Sequence, residues 1–110
     1  MDTQKLTSFV EDKWPSVQST LETYITIPNQ SPMFDPAWAT NGLQEKVVDL
    51  FVSWVKAQNV PGLTLEVLQD KGRTPLIFIE VASTGGAGTT LLYGHLDKQV
   101  GIYIFLRDES

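Results

Sequence analysis

Two side chains that could do metal chemistry lie close together in "TTLLYGHLDKQV", residues 89–100. His95 is the only histidine of the chain, and Asp97 follows two positions later. Residues two apart at the end of a strand point to the same side, so the imidazole and the carboxylate can meet above a sheet edge. A neutral imidazole is a common zinc ligand, and a carboxylate on its other ring nitrogen fixes the tautomer. The local alternative is a structural histidine that is hydrogen-bonded at a strand end.

The glycine-rich run "STGGAGTT", residues 83–90, is a second candidate, because backbone amides in such turns can bind anions. A phosphate-binding loop needs Lys followed by Ser or Thr after its last glycine, with a helix beyond. Here Thr89 and Thr90 lead instead into an apolar run that is typical of a strand. The pattern therefore predicts a plain hairpin turn and no phosphate site.

Composition narrows the function classes. The chain has 110 residues and a formal net charge of -5, and its eight Lys and Arg are scattered, so no nucleic-acid partner is expected. Without cysteine there is no thiolate zinc site, and any metal would need imidazole, carboxylate and water ligands. The sequence shows neither a signal-peptide pattern nor the run of about 20 apolar residues that spans a membrane. We therefore expect one small cytoplasmic domain without a membrane partner.

A first helix is predicted from Leu6 to Ile25, because apolar residues recur there at three- and four-residue spacing. Thr3 is the expected cap, and Pro15 is expected to start a new turn or to kink the helix. The following stretch "TIPNQSPMFDPAWATNG", residues 26–42, has three prolines and is expected to be an ordered loop. Three apolar residues of the loop are expected to hold it to the core: Met33, Phe34 and Trp38.

A second helix is predicted from Leu43 to Val55, where apolar residues again repeat along one side. Asn41 and Gln44 resemble a capping box at its start. The proline and glycine of "NVPGL" are expected to end it.

The part of the chain after Gly62 predicts a sheet. "LTLEVL" alternates like a strand with one exposed face, and "QDKGR" forms a turn in which Gly72 suits a positive φ. "PLIFIEVA" is expected to be a strand covered on both faces, and "TTLLY" a third strand. The prediction is an α/β fold in which two N-terminal helices pack on a small mixed sheet of three to four strands, the first two antiparallel.

The motif "LLYGHLDKQ" resembles the first metal-binding motif of the carnosinase-like dipeptidases, a branch of the co-catalytic zinc metallopeptidases. The resemblance extends through "YITIPNQSPMFDPAW", "NGLQEKVVDLFVSWVKAQ" and "GRTPLIFIEV" in the same order, and it covers residues from about Leu6 to Gln99. It implies that His95 is a zinc ligand and that Asp97 is the catalytic carboxylate that orients and polarises the site. In such enzymes a water bridging two zinc ions attacks the carbonyl of a short peptide, with a separate glutamate as general base.

The sequence departs from the family pattern after Gln99. The family has proline where this chain has Val100 and continues with further metal ligands, whereas "GIYIFLRDES" resembles nothing in it. We interpret residues 1–99 as the N-terminal part of a zinc-peptidase catalytic domain, truncated after the first metal-binding motif, and residues 100–110 as a tail outside the family. Because a catalytic zinc usually has three protein ligands, the isolated chain is expected to bind zinc weakly or not at all and to be inactive.

The tail begins with "VGIYIFL", which has high β propensity and few charges, and is expected to form an extra strand. Alternatively, an exposed sheet edge recruits another copy of the chain into a homo-oligomer, because unpaired strands template association. Two function classes stay open. One is a zinc-dependent dipeptidase that acts on short peptides and of which this chain is a part; the other is a non-catalytic remnant or self-association module.

Overall fold

The computed structural model describes residues 2–99 and contains two helices followed by a two-stranded sheet. The helices are α1, Thr3–Thr26, and α2, Leu43–Ala57, and the strands are β1, Leu63–Leu68, and β2, Leu76–Val81. The predicted mixture of helices and strands is thus confirmed. None of the helices within residues 2–99 is long and apolar enough to cross a membrane. The predicted strand in the tail, residues 100–110, lies outside the described residues.

The N-cap residue of α1 is Asp2, one residue before Thr3, which the sequence predicted as the cap. The side chain of Asp2 accepts hydrogen bonds from the backbone amides of Gln4 (3.0 Å) and Lys5 (3.1 Å), so Thr3 is already helical. Asp2 is a good cap because its short carboxylate reaches amides that have no partner within the helix. The helix then continues for 24 residues with Pro15 inside it, so Pro15 does not start a separate helix.

Polar contacts order the loop between the helices. Met33 is 84% exposed and Phe34 is half exposed, so the prediction that they hold the loop to the core is wrong. The carboxylate of Asp35 accepts hydrogen bonds from the backbone amide of Ala37 (3.0 Å) and from Nδ2 of Asn41 (2.6 Å). Together with backbone hydrogen bonds within the loop, such as that from the amide of Phe34 to the oxygen of Ser31 (2.8 Å), these contacts order the segment without burial of Met33 or Phe34.

The start of α2 differs from the predicted capping box. Gly42 is the N-cap residue at φ 73°, and Oδ1 of Asn41 accepts a hydrogen bond from the amide of Leu43 (3.1 Å). The side chain of Gln44 does not accept a hydrogen bond from the backbone amide of Asn41, as a capping box would require. It points to the preceding loop, where its Nε2 donates to the backbone oxygen of Gln30 (2.8 Å). The predicted reciprocal cap is therefore wrong, and Gln44 instead ties α2 to the loop.

The strands β1 and β2 pair antiparallel, as predicted, and the register places Leu63 opposite Val81 and Leu68 opposite Leu76. Gly72 lies in the connecting turn at φ 76°, as expected. The prediction that β2 is covered on both faces is wrong for the residues that the structure describes, because side chains on both faces of the strand remain largely exposed. Four large side chains of β2 are about half exposed: Leu76, Phe78, Ile79 and Val81.

The predicted third strand does not form with any strand that the structure describes, so the predicted sheet of three to four strands is not seen. Leu91, Leu92 and Tyr93 are 87%, 88% and 89% exposed, and residues 89–93 pair with neither β1 nor β2. The glycine-rich residues 83–88 therefore do not make the predicted hairpin. The reason is that a strand needs a partner for its backbone groups, and the pattern of "TTLLY" specifies none.

Little apolar surface is buried within residues 2–99. Val47 on α2 is the one apolar residue there that is fully buried, and the rings of Tyr24 and Phe51 join the two helices edge to face at 5.2 Å. The Cα radius of gyration is 17.2 Å, against about 13 Å for a compact domain of about 100 residues. The apolar faces of α1 and of the sheet are therefore largely open.

Pro15→Ala is expected to raise the free energy of unfolding by about 1–3 kcal/mol, because proline in a helix interior removes a hydrogen bond and crowds the preceding turn. Urea unfolding followed by circular dichroism measures the change. Ser19→Ala, which is exposed further along α1, is the control and is expected to shift the value by about 0.5 kcal/mol or less. An unchanged or lowered free energy of unfolding in Pro15→Ala would contradict a helical backbone at residue 15.

Candidate functional site

His95 and Asp97 meet as predicted, although the segment before them is not a paired strand. The Nδ1 atom of His95 lies 2.8 Å from Oδ1 of Asp97 and 3.0 Å from the backbone oxygen of Asp97. Because carboxylate and carbonyl oxygens only accept, Nδ1 carries the hydrogen and donates it. In the neutral imidazole the lone pair is then on Nε2, the atom with which such a histidine binds zinc.

The pair is open to solvent, and the interactions that raise the pKa of His95 all come from Asp97. The His95 side chain is 61% exposed and that of Asp97 31%. The hydrogen bond to the Asp97 carboxylate raises the pKa of His95 above its ordinary 6.5, and the bond to the Asp97 backbone oxygen and the negative charge act in the same direction. A proton therefore competes with a metal ion for Nε2 up to a higher pH than in a free imidazole.

Residues 95–98 are held in place by a polar junction of four side chains: Tyr24, Asn29, Gln44 and Lys98. The backbone oxygen of Leu96 accepts hydrogen bonds from the hydroxyl of Tyr24 (2.6 Å) and from Nδ2 of Asn29 (3.0 Å). Burial raises the pKa of Tyr24, and the charge of Asp97 adds to this effect, so the hydroxyl stays a donor. The residue between His95 and Asp97 is thus fixed to the end of α1.

Lys98 places its cation inside the same junction. Its Nζ atom donates to the backbone oxygen of Ile27 (2.6 Å) and to Oδ1 of Asn29, and it lies 3.7 Å from the ring centre of Tyr24. Burial lowers the pKa of Lys98. Two oxygen acceptors and the face of an aromatic ring compensate for the water that the ammonium loses.

The main chain reinforces this contact. The amide of Lys98 donates to the backbone oxygen of Asn29 (3.0 Å), and the amide of Ser31 donates to that of Lys98 (3.2 Å). Gln30 and Lys98 thereby form a short parallel bridge. Backbone hydrogen bonds consequently join the loop after α1 to residues 95–98, although about 70 residues of chain separate the two segments.

Asn29 is the centre of the junction, and sequence analysis missed it. It is fully buried, and its Nδ2 atom also approaches Oε1 of Gln44 on α2 at 3.4 Å. A buried carboxamide with partners on both sides is a strong constraint, because each group left unpaired would carry a desolvation cost. The only available signal was an asparagine between two prolines in a loop, which is more often a turn residue.

The structure brings His95 and Asp97 together but adds no third metal ligand from the residues that it describes. No group of three or more His, Asp or Glu side chains that could hold a metal ion occurs within residues 2–99. Glu80, the carboxylate inside β2, lies opposite Thr64 of β1 in the sheet register. The pair therefore offers one zinc ligand, Nε2 of His95, and Asp97 is the carboxylate that orients the ring.

A cleft of about 470 Å³ lies beside the pair. It is lined by residues of α2, including Val48 and Phe51, and of β2, including Ile77 and Ile79. Residues 93–97, which include the His95–Asp97 pair, also line it. We call this space the β2 cleft, and any molecule bound in it would touch the pair.

The pKa of His95 is expected to exceed 6.5 in the folded chain and to fall in Asp97→Asn, which removes the charge but keeps an acceptor oxygen. Because the folded value is raised, the pair stabilises the fold below about pH 6.5, and this contribution is lost as the pH rises through the folded pKa. NMR titration of the imidazole protons measures the pKa of His95 directly, since the chain has one histidine. Glu80→Gln removes an equal charge and is expected to leave the pKa unchanged. Superimposable titrations of wild type and Asp97→Asn would contradict the pair.

Asn29→Ala is expected to lower the free energy of unfolding by about 2–3 kcal/mol, because it leaves buried partners without their hydrogen bonds. It is also expected to speed hydrogen exchange at the amides of Ser31 and Lys98, which form the bridge. Urea unfolding and exchange measured by NMR test both effects. Gln69→Ala, which breaks one exposed hydrogen bond to the backbone of Arg73, is the control and is expected to change stability by less than about 0.5 kcal/mol. Full protection of the Lys98 amide in Asn29→Ala would show that Asn29 does not hold the segment.

No model of a known protein family and no curated protein matches this chain. The resemblance of "LLYGHLDKQ" to the carnosinase-like dipeptidases therefore stays a prediction from the sequence.

Proposed function

We propose that this chain carries the first metal-binding motif of a zinc-dependent dipeptidase similar to the carnosinase-like family. Residues 1–99 would be the N-terminal part of its catalytic domain, and residues 100–110 a tail outside the family pattern. The observation that supports this best is the 2.8 Å hydrogen bond from Nδ1 of His95 to Asp97. It leaves Nε2 as the ligand atom and makes Asp97 the carboxylate that orients the ring.

The residues of the chain contribute three things to such a site. His95 supplies one zinc ligand, Asp97 fixes its tautomer, and the polar junction holds both next to the β2 cleft, where a short peptide would lie. Bound zinc would supply Lewis-acid polarisation of a peptide carbonyl. The ligands that complete a catalytic site come from outside residues 2–99 in this proposal. The isolated chain is accordingly an inactive part of a cytoplasmic hydrolase, without nucleic-acid or membrane partners.

Self-association is a second candidate function, and the large exposure of apolar side chains favours it. A two-stranded sheet is marginal in water, and both sheet faces and the stripe of α1 carry half-exposed apolar residues. An added strand at the edge of β2 would extend the sheet to the three strands that the sequence predicts. In this reading the chain keeps the scaffold of the peptidase domain but uses it as a homo-oligomeric module.

Zinc titration by calorimetry is expected to give a dissociation constant no tighter than about 10 µM, because a single imidazole ligand falls far short of the four ligands of a structural zinc site. Binding is expected to disappear in His95→Ala and to persist in the exposed control Glu80→Gln. No hydrolysis of unprotected dipeptides is expected with zinc present. Robust turnover that is lost on chelation and in His95→Ala would refute the proposed inactivity, and equal zinc binding by His95→Ala would refute the proposed site.

A further inference from the structure

We propose that residues 102–106 of this chain, "IYIFL", lie in the groove between its own two helices and cover the apolar face of α1. We call this space the α1 groove. It has a volume of about 690 Å³ and is lined by α1, by the end of α2 with the loop after it, and by the sheet. The segment begins three residues after Gln99, the last residue that the structure describes. This covering does not depend on the proposed zinc site.

The lining of the α1 groove suits apolar side chains. All of its lining residues are apolar except Lys13, Gln58 and Asn59. Within residues 2–99 two aromatic rings of the lining are more than half exposed, Phe9 at 59% and Trp14 at 53%. Covering them with an apolar segment removes apolar surface from water on both sides of the contact, which is favourable.

The β2 cleft is a second space that residues 100–110 could enter, and it suits "IYIFL" less well. Its lining includes the hydrogen-bonded His95–Asp97 pair and the polar side chains of Gln44 and Thr74. A charged or polar group that is covered by an apolar chain loses water without gaining a partner. The more uniformly apolar α1 groove is therefore the better match.

The two helices run antiparallel, because contacts further back along α1 are made with residues further on along α2. Three successive contacts show this: Asn29 with Gln44, Tyr24 with Phe51, and Val17 with Val55 in the lining of the α1 groove. The groove is therefore beside the first two thirds of α1, on the N-terminal side of Tyr24.

The segment is long enough to reach the groove. With a rise of about 1.5 Å per residue, the groove residues of α1, from Val17 back to Phe9, lie about 10–22 Å from Tyr24. Lys98 is held at Tyr24, with its Nζ atom 3.7 Å from the ring centre. At about 3.3 Å per residue, residues 102–106 reach up to about 13–26 Å from Lys98. Gly101 lies in the short link and has the backbone freedom to turn the chain towards α1.

The charges beside the groove complement those that follow the segment. Lys13 lines the groove, and Lys5 lies two helical turns earlier on the same side of α1. Neither lysine forms an ion pair within residues 2–99. After "IYIFL" the chain continues with Arg107 and then with two carboxylates, Asp108 and Glu109. In a segment that runs antiparallel to α1, these carboxylates come within reach of the cationic edge of the helix.

The chain's own segment has an advantage over the same segment of a second copy because it is tethered. A short flexible link gives an effective concentration of about 1 mM, about 100-fold above the concentration of other copies in a solution of about 10 µM protein. Since the link also spans the distance, the groove is filled from within the chain.

The first test locates the segment by cross-linking within the full chain, which has no cysteine of its own. Phe105→Cys is combined with Val10→Cys, which is in the groove lining, and treated with a short bifunctional thiol reagent. A cross-link within one chain is expected. Ser8→Cys is the matched control, because it lies about 200° around the helix from Val10, and its cross-link is expected to form at least about tenfold more slowly. Ile77→Cys tests the β2 cleft in the same way.

The second test measures whether the segment covers α1. Ile104→Asp/Phe105→Asp places a carboxylate on whichever side of the segment faces the groove. Tryptophan emission is expected to shift to longer wavelength and acrylamide quenching to increase, because Trp14 returns to the 53% exposure that it has within residues 2–99. Leu91→Asp/Leu92→Asp is the control, an adjacent apolar pair that is 87% and 88% exposed and outside the groove lining, and it is expected to change neither signal.

The outcomes decide where the segment lies. Equal cross-linking to positions 8 and 10 would overturn the proposal, and so would preferential cross-linking to position 77, which would place the segment in the β2 cleft. A cross-link to position 10 that forms only between copies would show that another copy supplies the segment. Unchanged emission in Ile104→Asp/Phe105→Asp, with the helix content of wild type by circular dichroism, would also overturn it. If this variant loses helix content, the cross-links, which need no added charge, decide the question.

Discussion

The backbone oxygen of Leu96 is the point on which the arrangement of this molecule depends. Tyr24 from α1 and Asn29 from the following loop both donate to it. Lys98 in turn donates to the side-chain oxygen of Asn29. In a chain with a large core such a contact would be one of many. Here so little apolar surface is buried that hydrogen bonds over long sequence separations decide where residues 95–98 lie. The position of the His95–Asp97 pair is therefore set by polar groups.

The open apolar faces have a common physical cause. A two-stranded sheet offers one face to a helix layer and leaves its second face and its edges to solvent. The apolar face of an amphipathic helix such as α1 is normally buried, yet Phe9 and Trp14 on that face remain more than half exposed. A groove of about 690 Å³ between α1, α2 and the sheet shows the same lack of covering layers. The helices and strands thus form as their local sequence patterns predict, whereas their apolar faces lack a second layer that would cover them.

The parts that the sequence predicted correctly are those decided by neighbouring residues. Both helices follow from apolar spacing, the β1–β2 hairpin follows from alternation around Gly72, and the His95–Asp97 contact follows from a separation of two residues. The parts that it missed need partners far away in sequence. Asn29 was not singled out in the loop, Gln44 was assigned to a cap because that is its local role, and the strand at residues 89–93 was inferred from propensity without a partner strand.

The site and the sheet are coupled through the same few residues. Residues 93–97 line the β2 cleft and carry the imidazole, so a strand or peptide lying in the cleft would contact the His95–Asp97 pair. The ring cannot turn away without breaking its bond to Asp97, and the backbone cannot shift without breaking the contacts of Leu96. A fixed imidazole beside a cleft lined by α2 and β2 can contact an extended chain, whether that chain is a short peptide or part of a second copy of the same molecule.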